Sequence, residues 1–319
     1  MISKKLLLFI GFIVILSVLP FWVSGYWLRV LTQTFLFAAI ATGSNIIIGF
    51  TGYPAFGNIA FFGVGAYVTG VLMTNYSFSF FTTLPIAALF GILIATLLGI
   101  PILRLKGHYF AIATVGVMET IKEIVDNMTE ITGGGLGLTL PIMQGEPEYI
   151  YKFFYYIMLL SLLFSLLIVY IISKIKQGFA LRAIRVDEDA ASVIGIHTSL
   201  YKTFAWAISA GLVAITGGIY AYWISYIDPT TVFGGTYPVK MFAMILLGGS
   251  TSVIGPMVGA FILEIISELV WSKFIEIHGM VLGLLIVFII LFLPKGIFET
   301  FKGGFSIKRL INNLKENKL

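Results

Sequence analysis

Tyr237–Trp271 reads YPVKMFAMILLGGSTSVIGPMVGAFILEIISELVW. Two apolar runs are separated by Gly248-Gly249-Ser250-Thr251-Ser252 and Gly255-Pro256, residues that break helices and make turns. The stretch is therefore either one broken helix or two crossings joined by a turn. The two readings differ by one crossing, so they put everything that follows on opposite sides of a bilayer.

That a bilayer is involved follows from composition. The chain of 319 residues is 59% hydrophobic and only 11% charged, with a mean hydropathy of +1.01. Several apolar runs reach the ~20 residues a crossing needs. Spans are expected near 6–23, 29–50, 54–74, 83–103, 108–125, 151–173, 202–224, 237–249, 254–271 and 278–294. The first follows Lys4-Lys5 like a cleavable leader, but Pro20, Trp22 and Tyr26 make no small-residue cleavage site, so it is read as a span.

Charge chooses between the two readings of 237–271. With two crossings there are ten spans, both termini are cytoplasmic, and 15 of the 20 Lys and Arg lie inside. With one crossing, the tail carrying Lys302, Lys308, Arg309, Lys315 and Lys318 moves out and the split becomes 10 to 10. The positive-inside bias selects ten. The expected fold is thus all-α and polytopic, a single transmembrane domain over 1–319. The acidic loop 126–150 lies outside, and the segment 178–197 lies inside. Whether the short run 237–249 crosses fully or re-enters stays open at this point. The basic tail could lie on anionic lipid.

Other functions are excluded by what is missing. With no cysteine, thiolate metal sites and disulfides are ruled out. There is no G-x-x-x-x-G-K-[ST], H-E-x-x-H or G-x-S-x-G, and His108, His197 and His278 are scattered. The net charge of +5 reflects membrane sidedness, not nucleic-acid binding. An enzyme is not expected, and no cofactor is expected on this chain.

Polar side chains within spans are costly and need a reason. Asn45 and Asn58 flank a Gly/Pro break between Ile48 and Asn58 that could leave free backbone groups at a cavity. Taken alone, each reads first as a cross-link between helices. Glu119 lies mid-span at ~1.5 Å per residue from His108. It could be buried in a self-paired cluster, Glu119–Lys122 and Lys122–Asp126, or face a substrate path. Glu264 and Glu268 share a face near the outer end of their span and read as interfacial.

The inner segment 178–197, GFALRAIRVDEDAASVIGIH, begins among cations that include Arg185. It then offers Asp187-Glu188-Asp189 to a helix start and stops at Gly195. Ala190, Ala191 and Ile194 share one face. It is either an amphipathic surface loop or a docking knob for another protein.

Several of these stretches carry a resemblance. GSNIIIGFTG (43–52), FGNIAFFGVGAY (56–67), LKGHYFAIAT (105–114) with Glu119, Thr132-Gly133-Gly134, the run from Ala183 through Ile196, LLGGSTSVIGPMVGA (246–260) and LPKGIF (293–298) together resemble the LivM-type permease subunits of branched-chain amino acid ABC transporters. The resemblance covers nearly all of 42–298. It implies a permease in the cytoplasmic membrane, working with a paralogous second permease, two ATP-binding cassette subunits that carry the ATP, and an external solute-binding protein. It also implies that 178–197 fits a cleft on an ATPase, with Arg185, Glu188, Ala191 and Gly195 as coupling residues. Asn45, Asn58 and Glu119 become substrate-path residues. Such families often carry Gln, Ser or His where this chain has Tyr53, Ala55 and Asn58, so urea, amides or other amino acids remain alternative substrates. Outside the resemblance, a self-sufficient ion-coupled carrier or a purely structural subunit would also account for the spans.

Overall fold

The computed structural model describes residues 11 and 13–273, together with 279–281, 283–284, 287 and 296. The tail and most of the expected span 278–294 lie outside the described residues, as does the start of the span at 6–23.

Two long helices form the centre. Helix α1, Gly25–Thr51, is buried almost continuously from Thr34 and stops where Gly52 turns left-handed at φ +76°. Helix α8, Thr198–Ile224, is equally enclosed. Around them pack α2 (Ala60–Thr74), α3 (Phe80–Ile102), α4 (Gly107–Asn127) and α5 (Pro147–Lys174). Among the described residues, six stretches are long and apolar enough to cross a membrane: 25–51, 56–74, 80–102, 147–174, 198–224 and 229–248. Lipid offers helices no hydrophobic drive to associate, so contacts rely on small residues and close backbone approach. Helix α3 shows this plainly. Thr83, Ala87, Gly91, Ala95 and Gly99, four residues apart, are buried, and Gly91 lies against Ala210 and Ala214 of α8. Its other face, with Leu89, Leu93 and Leu97, is exposed.

The stretch 237–271 is a helical hairpin. Helix α9, Thr236–Gly248, and helix α10, Gly255–Lys273, are joined by a tight turn. Gly248 lies against Gly255, Met244 against Gly259, and Lys240 pairs with Glu264 at 3.0 Å. The partners step apart in opposite directions along the chain, so the polypeptide reverses here. The segment before α9 bears on the short run 237–249. From β2 (Tyr226–Ile227), which pairs with β1 (Leu138–Thr139), the chain descends into the bundle, and Phe233 reaches Gly63. Helix α9 begins at an exposed Thr236 just after this buried segment and is about 20 Å long at 1.5 Å per residue. Such a short helix is tolerated because Val232 and Phe233 around its start are buried away from lipid. The hairpin should be intolerant of bulk: Gly259→Leu is expected to lower the yield of folded protein at least severalfold in detergent size-exclusion profiles, because its side chain would fall on the Met244 carbonyl.

The third expected span also starts later than its sequence suggests. Residues 52–55 are not helical, Phe56–Ile59 form a 3-10 turn, and α2 starts at Ala60. The inner segment is two helices where one was expected: α6 (Lys176–Val186) and α7 (Glu188–Val193).

Candidate functional site

The two breaks, 52–55 and 249–254, meet at the end of the bundle where α6 and α7 lie. Asn45 donates from Nδ2 to the Ser252 carbonyl at 3.1 Å, tying α1 to the hairpin turn. Arg185 of α6 donates to the Gly49 carbonyl and, from Nη2, to Ser250 Oγ at 3.1 Å. One guanidinium, planar and many-handed, thereby joins three segments.

Beside it lies a buried charge cluster. Lys202 Nζ, at the base of α8, contacts Glu188 Oε1 at 2.6 Å and donates to the Tyr53 hydroxyl at 2.8 Å. That hydroxyl in turn donates to Glu188 Oε2. Lys202 is only 2% exposed and sits 4.3 Å from the Tyr53 ring centroid. Burial pushes the Glu188 carboxyl up, but the hydrogen bonds from Lys202 and Tyr53 outweigh it and hold the group below its ordinary range. Burial and the same carboxylate push the Tyr53 phenol well above its ordinary value, so it stays a neutral donor. Helix α7 is thus fastened to the break at 52–55 and to α8. A second pair, Lys106–Asp189 at 2.6 Å, is largely exposed and contributes little.

Helix α7 starts as its acidic residues predict, with Asp187 accepting from the Ala190 amide at 2.9 Å. Gly195 follows at φ +90°, a conformation other residues rarely adopt, with open space around it. The docking face differs from the expected one. Ala191 is buried against the bundle, whereas Val193 and Ile194 are 87% and 74% exposed. An inward alanine lets α7 sit close, and the two large apolar side chains face away.

The three residues expected to line a path separate into two kinds. Asn58 is fully buried, its Nδ2 donating to Ser44 Oγ at 2.7 Å and Ser209 Oγ at 3.0 Å, while Oδ1 accepts from Trp206 Nε1 at 3.1 Å. Its amide holds α1 and α8 together, as Asn45 holds α1 to the hairpin. Asn58→Leu would strand these partners at about 1–3 kcal/mol for each unsatisfied group. A drop in thermal midpoint of several degrees is the expected measurement. Glu119 is not buried: it is half exposed on α4, with Lys122 at 3.6 Å. Lys122 makes no ion pair with Asp126. The outward face of α4 also carries Thr120 and Glu123, beside an open Gly116.

A family profile described as "Branched-chain amino acid transport system / permease component" matches residues 26–290. The chain belongs to this permease family. The high-affinity branched-chain amino acid permease LivM of Escherichia coli K12 is 28% identical over 96% of this chain and 77% of its own length. LivH of the same organism is 24% identical over 82% of the chain and 90% of its own length. The ribose import permease RbsC of Haemophilus influenzae is 26% identical over 76% of each. No solved structure matches the chain significantly.

For this permease, sequence reasoning missed two members of the buried cluster. Lys202 and Tyr53 were not singled out as site residues. The signal was present: a lone cation at the start of an otherwise apolar span, and a phenol between Gly52 and Pro54. A buried lysine needs a carboxylate, and Glu188 lies on the neighbouring inner segment.

Proposed function

We propose that this permease is the membrane subunit of an ABC importer for branched-chain amino acids, with ten spans and both termini in the cytoplasm. The positive-inside count supports the orientation, with α6 and α7 inside and β1–β2 outside. A paralogous permease, two ATPase subunits and an external binding protein complete it, and ATP is hydrolysed on the partners. The observation that carries the reading is α7: apolar on its outward face and fastened inward through Glu188, Lys202 and Tyr53. An ATPase that holds Val193 and Ile194 would move α7. The rigid cluster would then carry that displacement to the break at 52–55, to α8 and, through Arg185, to the hairpin turn. Gly195→Leu, which strains the turn after α7, is expected to cut uptake per ATP hydrolysed by about tenfold.

Glu119 belongs to the path under this reading. An ionised carboxylate on lipid costs roughly 3 kcal/mol or more, so the face of α4 carrying Glu119 and Glu123 belongs against the second permease, with the path between them. Glu119→Gln is expected to slow leucine uptake several-fold while the complex still assembles; unchanged uptake kinetics would remove it from the path.

A second reading is favoured by Asn45, whose Oδ1 is buried without a hydrogen-bond partner where the two breaks meet. An ion-coupled carrier would use such an oxygen. Proteoliposomes separate the two: the ABC reading expects leucine uptake only with ATPase subunits and ATP present. Uptake driven by an ion gradient alone would establish the carrier.

A further inference from the structure

At the end of the bundle away from α7, a cavity of about 450 Å³ opens between α1, the end of α8, the start of α9 and α10. Small-molecule sites commonly run about 300–1,000 Å³. Its floor is charged yet neutral. Lys240 and Glu264 pair at 3.0 Å with side chains 15% and 6% exposed, and Gln33 donates to the same carboxylate at 3.4 Å. The wall carries two more charges of opposite sign. Arg29 lies 6.0 Å from the Tyr151 ring centroid, and Glu268 accepts from the Tyr26 hydroxyl. Among the described residues neither forms an ion pair. The rest of the wall is largely apolar, with the rings of Tyr220, Trp223 and Tyr237 beside aliphatic Leu36 and Ile224. At 1.5 Å per residue, Gln33 lies about 12 Å along α1 from its start.

We propose that this cavity binds one zwitterionic amino acid within the single permease chain, separate from the polar face of α4. Its carboxylate meets Arg29, its ammonium meets Glu268, and its apolar side chain lies among the aromatic rings. One cation and one carboxylate, without ionic partners among the described residues and lining one cavity with aromatic walls, are complementary to a molecule with both charges and a hydrocarbon body. A guanidinium suits the carboxylate because it can donate two parallel hydrogen bonds. A phosphatidylethanolamine headgroup shares the two charges but not the compact body that a cavity closed below by an ion pair would enclose.

The inference rests on the substrate reading above, and the two fail differently. The full-length permease in phosphatidylcholine nanodiscs, probed with L-leucine by equilibrium binding, is expected to show one saturable site. Arg29→Gln and Glu268→Gln should each weaken binding about tenfold or more. 4-Methylpentanoate, which lacks the ammonium, and isoamylamine, which lacks the carboxylate, should bind at least as poorly. Should Arg29→Gln not fold, Arg29→Lys and Trp223→Leu provide the same readout. Absence of saturable binding, leucine affinity unchanged in these variants, or displacement of leucine when phosphatidylethanolamine is added to the disc would each overturn the site. Failure of the substrate reading would appear elsewhere, as absent ATP-driven leucine uptake by the complete wild-type transporter.

Discussion

Gly217→Val is expected to leave almost no folded permease in the membrane. A Cβ at Gly217 of α8 would fall on the Phe62 carbonyl of α2, and a Cβ at Gly65 of α2 would fall on the Ala214 carbonyl of α8. The two backbones touch through both glycines, and a backbone cannot step aside as a side chain end can. Inserting even a methylene into a packed core costs about 1–3 kcal/mol, and a branched side chain against a carbonyl forces the helices apart along their whole contact. Membrane-fraction immunoblots and detergent size-exclusion profiles measure the loss. Gly116→Ala is the matched control, since nothing lies within 4 Å of its added Cβ. Normal yield of Gly217→Val would mean that α2 and α8 are not packed as described.

The second large effect is expected at Lys202. Lys202→Met leaves Glu188, its side chain 15% exposed, beside a neutral side chain; removing one partner of a fully buried pair costs about 3–5 kcal/mol, an upper bound for this partly exposed carboxylate. The thermal midpoint should fall sharply and uptake should be lost. Glu188→Gln combined with Lys202→Met removes both charges and should recover most of the midpoint, because no isolated charge remains. Uptake per ATP should stay low in the double variant, since the link between α7 and the break at 52–55 is gone. The pH dependence has a defined sign. The carboxyl of Glu188 is held below its ordinary value, so its contribution is full above about pH 4.3 and is lost as pH falls through the lower folded value.

Much of this was legible in the sequence because membranes impose simple rules. Apolar runs of bilayer length located the central helices, and Gly52-Tyr53-Pro54 marked the first break. The reversal at 248–255 followed from glycine and proline together with the charge asymmetry. The four-residue stripe Thr83, Ala87, Gly91, Ala95 and Gly99 was there to be read, although hydropathy averages conceal it. Two things were not legible. The outward face of α7 depends on how its six residues dock, and only packing shows that Ala191 turns in while Val193 and Ile194 turn out. The place of Glu119 likewise depends on rotation of α4 about its axis, which charge spacing along one helix does not fix. Asn58 takes the cross-linking role that its sequence position suggested first, with Ser44 and Ser209 accepting from Nδ2 and Trp206 donating to Oδ1.

The natural chain has no cysteine, which makes single-cysteine cross-linking clean. In the assembled transporter, Ile194→Cys is expected to cross-link to an ATPase subunit with a short bifunctional thiol–amine reagent, while Ala191→Cys, turned into the bundle, is expected to remain unreacted. Efficient reaction at 191 with none at 194, in a complex that still couples ATP hydrolysis to leucine uptake, would contradict the proposed route of motion through α7.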